Sequence, residues 1–142
     1  MKKRLALLWV TVLTVVLSGC GGRPKDPTEK FKDWMTLVDK EAHKNEELSA
    51  IFDLLGPVKF DVRKTDSTVK PFAAEASISG NYIGEADRYV EFRYKYFYQD
   101  DKWQEDTSSW AQERLESVRR TGSLPPDPPI ALQVLFTNYR ER

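Results

Sequence analysis

The eleven residues from Arg88 to Tyr98 read RYVEFRYKYFY, and their alternation constrains the fold more than any other stretch. Val90, Phe92, Tyr94, Tyr96 and Tyr98 fall on one side of an extended chain, with Glu91, Arg93 and Lys95 on the other. A strand patterned this way buries its aromatic face and needs an apolar element laid across it. Gln99-Asp100-Asp101-Lys102 then reads as a turn. A two-residue Asp-Asp loop sets Tyr98 opposite Trp103, an aromatic cross-strand pair on the buried face. Trp103, Glu105 and Thr107 continue the return strand.

The covering element comes earlier in the chain. Asp26-Pro27-Thr28-Glu29 carries a helix-start signal, a capping aspartate, a proline at the first helical position and a glutamate that can bond back to the cap. Phe31, Trp34, Met35, Val38 and Ala42 follow at helical spacing. The stripe pauses at His43 to Glu47, resumes at Leu48, Ile51, Phe52 and Leu55, and stops at Gly56-Pro57. An unbroken helix of about 28 residues would run about 42 Å, so two helices broken near Asn45 are the other expectation.

After Pro57 the period changes to two. Val58, Phe60 and Val62 share one face of a half-buried strand, and Thr65-Asp66-Ser67 reads as a turn. Ala73 to Ser79 is a weaker strand, followed by a loop from Ser79 to Asn81 and from Gly84 to Asp87. Ser109 to Arg120 allows a short helix with Trp110, Ala111, Leu115 and Val118 on one face. Leu124 to Pro129 is a stiff proline-rich link. The apolar run Ile130 to Phe136 suggests a last, well-covered strand, and Tyr139 to Arg142 a polar tail. The expectation is an α+β fold, with an N-terminal helix packed across an antiparallel meander of about four or five strands. In element order this resembles the cystatin-like or nuclear-transport-factor-like folds, an analogy of order without a shared motif.

The N-terminus carries a different kind of signal. Lys2, Lys3 and Arg4 precede an uncharged run from Leu5 to Leu17. That run is shorter than the ~20 apolar residues a membrane-spanning helix needs, and it has the form of a secretory signal peptide. Leu17-Ser18-Gly19-Cys20 resembles the lipobox of bacterial lipoproteins, in which the cysteine thiol is diacylated and the chain is cut just before it. The resemblance implies a signal peptide at 1–19, a lipidated Cys20 with a tether through residue 25, and a domain at 26–142. It also implies a bilayer anchor through Cys20 in the cell envelope. Gly21, rather than aspartate, after the cysteine implies the outer membrane where the source has one.

Charge and chemistry narrow the function. The chain has 22 basic and 22 acidic residues, and loss of residues 1–19 leaves 19 against 22. A mildly acidic domain argues against nucleic acid as a partner. Cys20 is the sole cysteine and His43 the sole histidine, too few ligands for a zinc site and no basis for a Ser-His triad. No metal or cofactor is expected. Glu75 with Glu91 or Glu105 could form a carboxylate pair, although such residues on alternating strands usually face water. Two candidate contact surfaces remain. One is the aromatic stripe of Phe92, Tyr94, Tyr96, Tyr98 and Trp103, either a pocket between helix and sheet or simply core. The other is the opposite face, where Tyr89 and Phe97 flank Glu91, Arg93 and Lys95. The expected function is that of a non-enzymatic lipoprotein that contacts an envelope protein partner. The alternative is a small-ligand binder with an aromatic pocket.

Overall fold

The computed structural model describes residues 23–140. The expected signal peptide, the lipobox-like run, Cys20 and Gly21 lie outside them. Helix α1 (Pro27–Ala42) begins at the expected cap: the Asp26 carboxylate accepts from the Glu29 amide at 3.0 Å, and the Glu29 carboxylate accepts from the Asp26 amide at 3.2 Å. Its buried stripe is Phe31, Trp34, Met35, Val38 and Ala42. Asn45 returns to extended backbone, and its side-chain oxygen accepts from the Leu48 amide at 2.9 Å, which starts helix α2 (Glu46–Ile51).

The helical pattern does not continue to Leu55. Phe52–Leu54 form strand β1, paired with Tyr82, Asn81 and Gly80. Tertiary pairing overrides the local period there: Phe52 is worth more against the rings of Tyr82 and Phe92 than in another helical turn. Strand β2 (Lys59–Lys64) pairs with the other end of the same neighbour, β3 (Phe72–Tyr82). From Leu54 to Lys59 the edge takes five steps while β3 takes three, from Gly80 to Ser77. Two residues are therefore looped out around Gly56-Pro57, and one edge of the sheet is a strand in two pieces.

β3 is longer than its sequence suggests, and it is central. Ser79 to Asn81 is strand rather than loop. β4 (Tyr89–Gln99) lies on its other side, followed by β5 (Lys102–Glu105), all antiparallel. Across the β3–β4 ladder small residues face large ones: Ala74 is opposite Tyr96, Ala76 opposite Tyr94, and Gly80 opposite Val90. The small side chains leave depth for the aromatic rings, which is why β3 reads weakly by itself. The hairpin has the expected register, with Tyr98 opposite Trp103 and ring centroids 5.3 Å apart.

The largest correction concerns the C-terminal run. Ile130–Tyr139 is helix α4, not a strand. Its buried residues, Ala131, Leu132, Leu135 and Phe136, form one helical face, and a short apolar run cannot be told from a strand by periodicity alone. α4 packs beside α1 on the aromatic face of the sheet. Helix α3 (Thr107–Thr121) precedes it, ends at Gly122 in the left-handed conformation and has no buried residue. Leu115 and Val118, the expected apolar face of α3, are exposed. The fold is α+β, with α1 and α4 packed on one face of a five-stranded antiparallel sheet.

Candidate functional site

The aromatic stripe of β4 is mostly core. Tyr94, Tyr96 and Trp103 are buried, and Tyr98 is half-buried. Phe31 meets Tyr96 and Trp103 at 5.8 and 4.8 Å between ring centroids. The Trp103 indole donates to the Pro27 carbonyl at 3.0 Å, so Trp103 ties the hairpin to the start of α1. Lys30 donates to the Tyr98 hydroxyl at 3.3 Å.

A cavity of about 380 Å³ lies instead where α4 and the start of α3 meet the sheet. Trp34, Tyr94, Tyr96 and Phe136 form its inner wall, Trp110 closes it from α3, and Glu105 and Arg140 stand at its rim. Tyr94 is 2% exposed and stacks on Phe136 at 4.0 Å. Its hydroxyl is buried without a hydrogen-bond partner among the described residues. Burial, reinforced by the Glu105 carboxylate, holds both Tyr94 and Tyr96 above the usual tyrosine range, so both stay neutral hydrogen-bond donors. Sequence reasoning missed Gln133, Thr137 and Arg140 as part of this wall, because they fall in a run that reads as strand and tail.

The opposite face of the sheet carries Tyr89, Arg93 and Phe97. Tyr89 is 58% exposed. Arg93 pairs with Glu91 at 3.1 Å, and that hydrogen bond raises the guanidinium further. Phe97 is half-buried under the Lys70 ammonium, 4.3 Å from its ring centroid. At the margin of this face a groove of about 720 Å³ runs between β4, α3 and the link at Pro125–Pro128. Lys95 pairs with Glu113 and Arg114 pairs with Asp127 at 2.7 Å, so both walls are pinned in place.

The remaining candidates separate. Glu75 and Glu91 lie on the outer face, whereas Glu105 is opposite Tyr96 on the helix-covered face. Glu75 is opposite Lys95, four residues from Glu91 along β4, about 13 Å of extended chain and outside the ~5–9.5 Å carboxyl spacing of glycosidases. His43 is exposed, with Nδ1 at 2.9 Å from the Asp39 carbonyl oxygen at the end of α1. Among the described residues no cluster of three or more His, Cys, Asp or Glu could hold a metal ion, and no helix is long and apolar enough to cross a membrane. No protein-family model matches the chain, and no curated protein or solved structure shows significant similarity to it.

Proposed function

We propose that the protein is a non-enzymatic lipoprotein, anchored in the cell envelope through Cys20, whose domain contacts an envelope protein through the outer face of its sheet. The observation that carries the partner reading is Tyr89, 58% exposed on the face that also presents Arg93. Exposed tyrosine and arginine together are favoured at protein interfaces. The anchor rests on the lipobox and its basic, apolar leader. Two or three acyl chains on one residue hold durably, whereas a single chain holds marginally. Gly21 favours the outer membrane.

Two measurements test this. Labelled fatty acid enters the wild-type chain and is lost from Cys20→Ser; equal labelling of both removes the anchor. A photo-crosslinking residue at Tyr89 or Arg93 of the lipidated chain captures one envelope protein in cells, and the same residue at Glu47 on α2 does not. Equal capture from both positions, or none, removes the partner reading.

A second reading has its own observation, the unpartnered Tyr94 hydroxyl in the cavity beside α4. A small ligand with an acceptor oxygen would satisfy that donor while its apolar part rests against Trp34, Phe136 and Trp110.

A further inference from the structure

The backbone of β4 is unpaired along part of one edge. The Tyr82 amide donates to the Arg88 carbonyl at 3.1 Å. Antiparallel ladders alternate, so residues 90, 92, 94, 96 and 98 exchange hydrogen bonds with β3. The odd residues point their N–H and C=O the other way. Beyond Gln99 and Phe97 that side is served by β5, and the Asp106 amide makes the last contact, to the Lys95 carbonyl at 2.8 Å. β5 ends at Glu105, opposite Tyr96, and the chain leaves into α3. The backbone groups of Tyr89, Glu91 and Arg93 therefore face an open edge, and among the described residues no strand pairs with them.

The groove sits on this edge. Glu91, Arg93 and Lys95 line it from the outer face of the sheet and Phe92 lines it from the inner face, so it runs along the side of the strand and not over either surface. Its far wall is α3 and the proline-rich link. A long exposed edge is ordinarily a pairing hazard. Here α3 and the link stand beside the edge, with the groove between them and β4. A second copy of the domain would have to bring its own α3 and link into the same groove, so edge-to-edge dimers are obstructed.

We infer that the groove binds an extended segment of a partner protein as an added strand on β4, bonded to the backbone of Tyr89, Glu91 and Arg93. This rests on the partner reading above and gives it a mode. Alternation follows from the geometry. Side chains toward Phe92 and Trp110 should be apolar. Those on the other side meet charged residues, and Arg119 and Arg120 on the α3 wall, which have no ion pair among the described residues, favour acidic ones.

Amide exchange on the full chain in detergent micelles tests this. In the free chain the Phe92 and Tyr94 amides should exchange slowly, and those of Glu91 and Arg93 at least about tenfold faster. The probe is a capped peptide of about seven residues, ~23 Å extended, alternating valine with glutamate and threonine. It should slow the Glu91 and Arg93 amides at least about tenfold, and a version N-methylated on its edge-facing amides should not. Glu91→Pro removes an edge-facing N–H and the ion pair to Arg93 but no ladder bond, so the variant should fold and lose the peptide effect at Arg93, whereas Glu91→Gln, which removes only the ion pair, should keep it. The proposal is overturned if the Glu91 and Arg93 amides are already as slow as their neighbours, if millimolar peptide has no effect, if the N-methylated peptide acts equally, or if protection follows dimer formation in sedimentation. Any of these, with the Tyr89 crosslink intact, would remove the edge mode and leave the partner reading standing.

Discussion

The indole N–H of Trp34 donates to the carbonyl of Phe136 across 3.1 Å, joining two residues 102 positions apart. Phe136 lies in the last turn of α4, where helical carbonyls run out of intrahelical donors. The Arg140 amide goes to Thr137, at 3.4 Å, so a side chain from α1 caps the end of α4. Trp34→Phe keeps an aromatic ring in the core and strands the carbonyl. It should destabilise the domain by about 1–3 kcal/mol, read as a lower urea midpoint with unchanged slope. An unchanged midpoint would mean that the carbonyl has another donor.

Tyr94 presents the opposite case. Its hydroxyl is buried without a partner among the described residues, and an orphaned buried polar group costs about 1–3 kcal/mol. Tyr94→Phe should therefore be neutral or raise stability by about 1 kcal/mol, since the stack on Phe136 is kept. A ligand held in the α4 cavity through that hydroxyl should bind more weakly to the variant. A clear loss of stability in thermal unfolding would show that the hydroxyl is satisfied after all.

Local signals gave away the elements that local chemistry governs. The Asp26–Glu29 box, the α1 stripe and the Tyr98–Trp103 register all depend on residues a few positions apart. β1 and α4 do not. Phe52 leaves the helix because Tyr82, thirty residues on, offers a pairing site, and Ile130 to Phe136 carries too little polarity to reveal its period. Both sites were hidden for the same reason. The cavity draws on α1, β4, β5, α3 and α4, and the open edge of β4 exists only because β5 stops at Glu105. Tyr89 and Arg93 were legible because an alternating strand shows its outer face in the sequence.

Alkaline pH should unfold the domain. Burial raises the folded-state pKa of Tyr94 and Tyr96 above the unfolded value of about 10. Below that value both are protonated in either state and their contribution to stability is intact. Above it the unfolded chain gives up protons that the folded chain keeps, so stability falls as pH rises toward the folded values. Absorbance of tyrosinate should show two of the six tyrosines ionising only as the fold is lost. Smooth ionisation of all six, with the fold intact by circular dichroism, would contradict this.

Gly80 has a steric role. A Cβ there would lie 3.0 Å from the Asp53 carbonyl oxygen and 3.3 Å from the Phe52 Cβ, so an added side chain would push the β1 backbone back by a few tenths of an ångström. Gly80→Ala should cost about 1–3 kcal/mol and speed amide exchange in β1. Gly84→Ala meets nothing within 4 Å. Its cost should be confined to the left-handed backbone, roughly 1–2 kcal/mol, and leave β1 protected. Equal exchange in β1 for the two variants would refute the steric account.

The hairpin at Asp100-Asp101 offers a stabilising change. Both residues have positive φ, 53° and 60°, as a two-residue turn of this hand requires. Aspartate tolerates that region better than most residues but still prefers the right-handed side. The tip also carries two acidic residues in succession, both exposed. Asp101→Gly removes both the steric cost and one charge while keeping the Tyr98–Trp103 register. The expected gain is about 1 kcal/mol, less the entropy that glycine adds to the unfolded chain. Folding should quicken if the hairpin forms early, because closing this turn brings the two aromatic rings together. A lower melting temperature for Asp101→Gly would mean that the Asp101 side chain makes a stabilising contact.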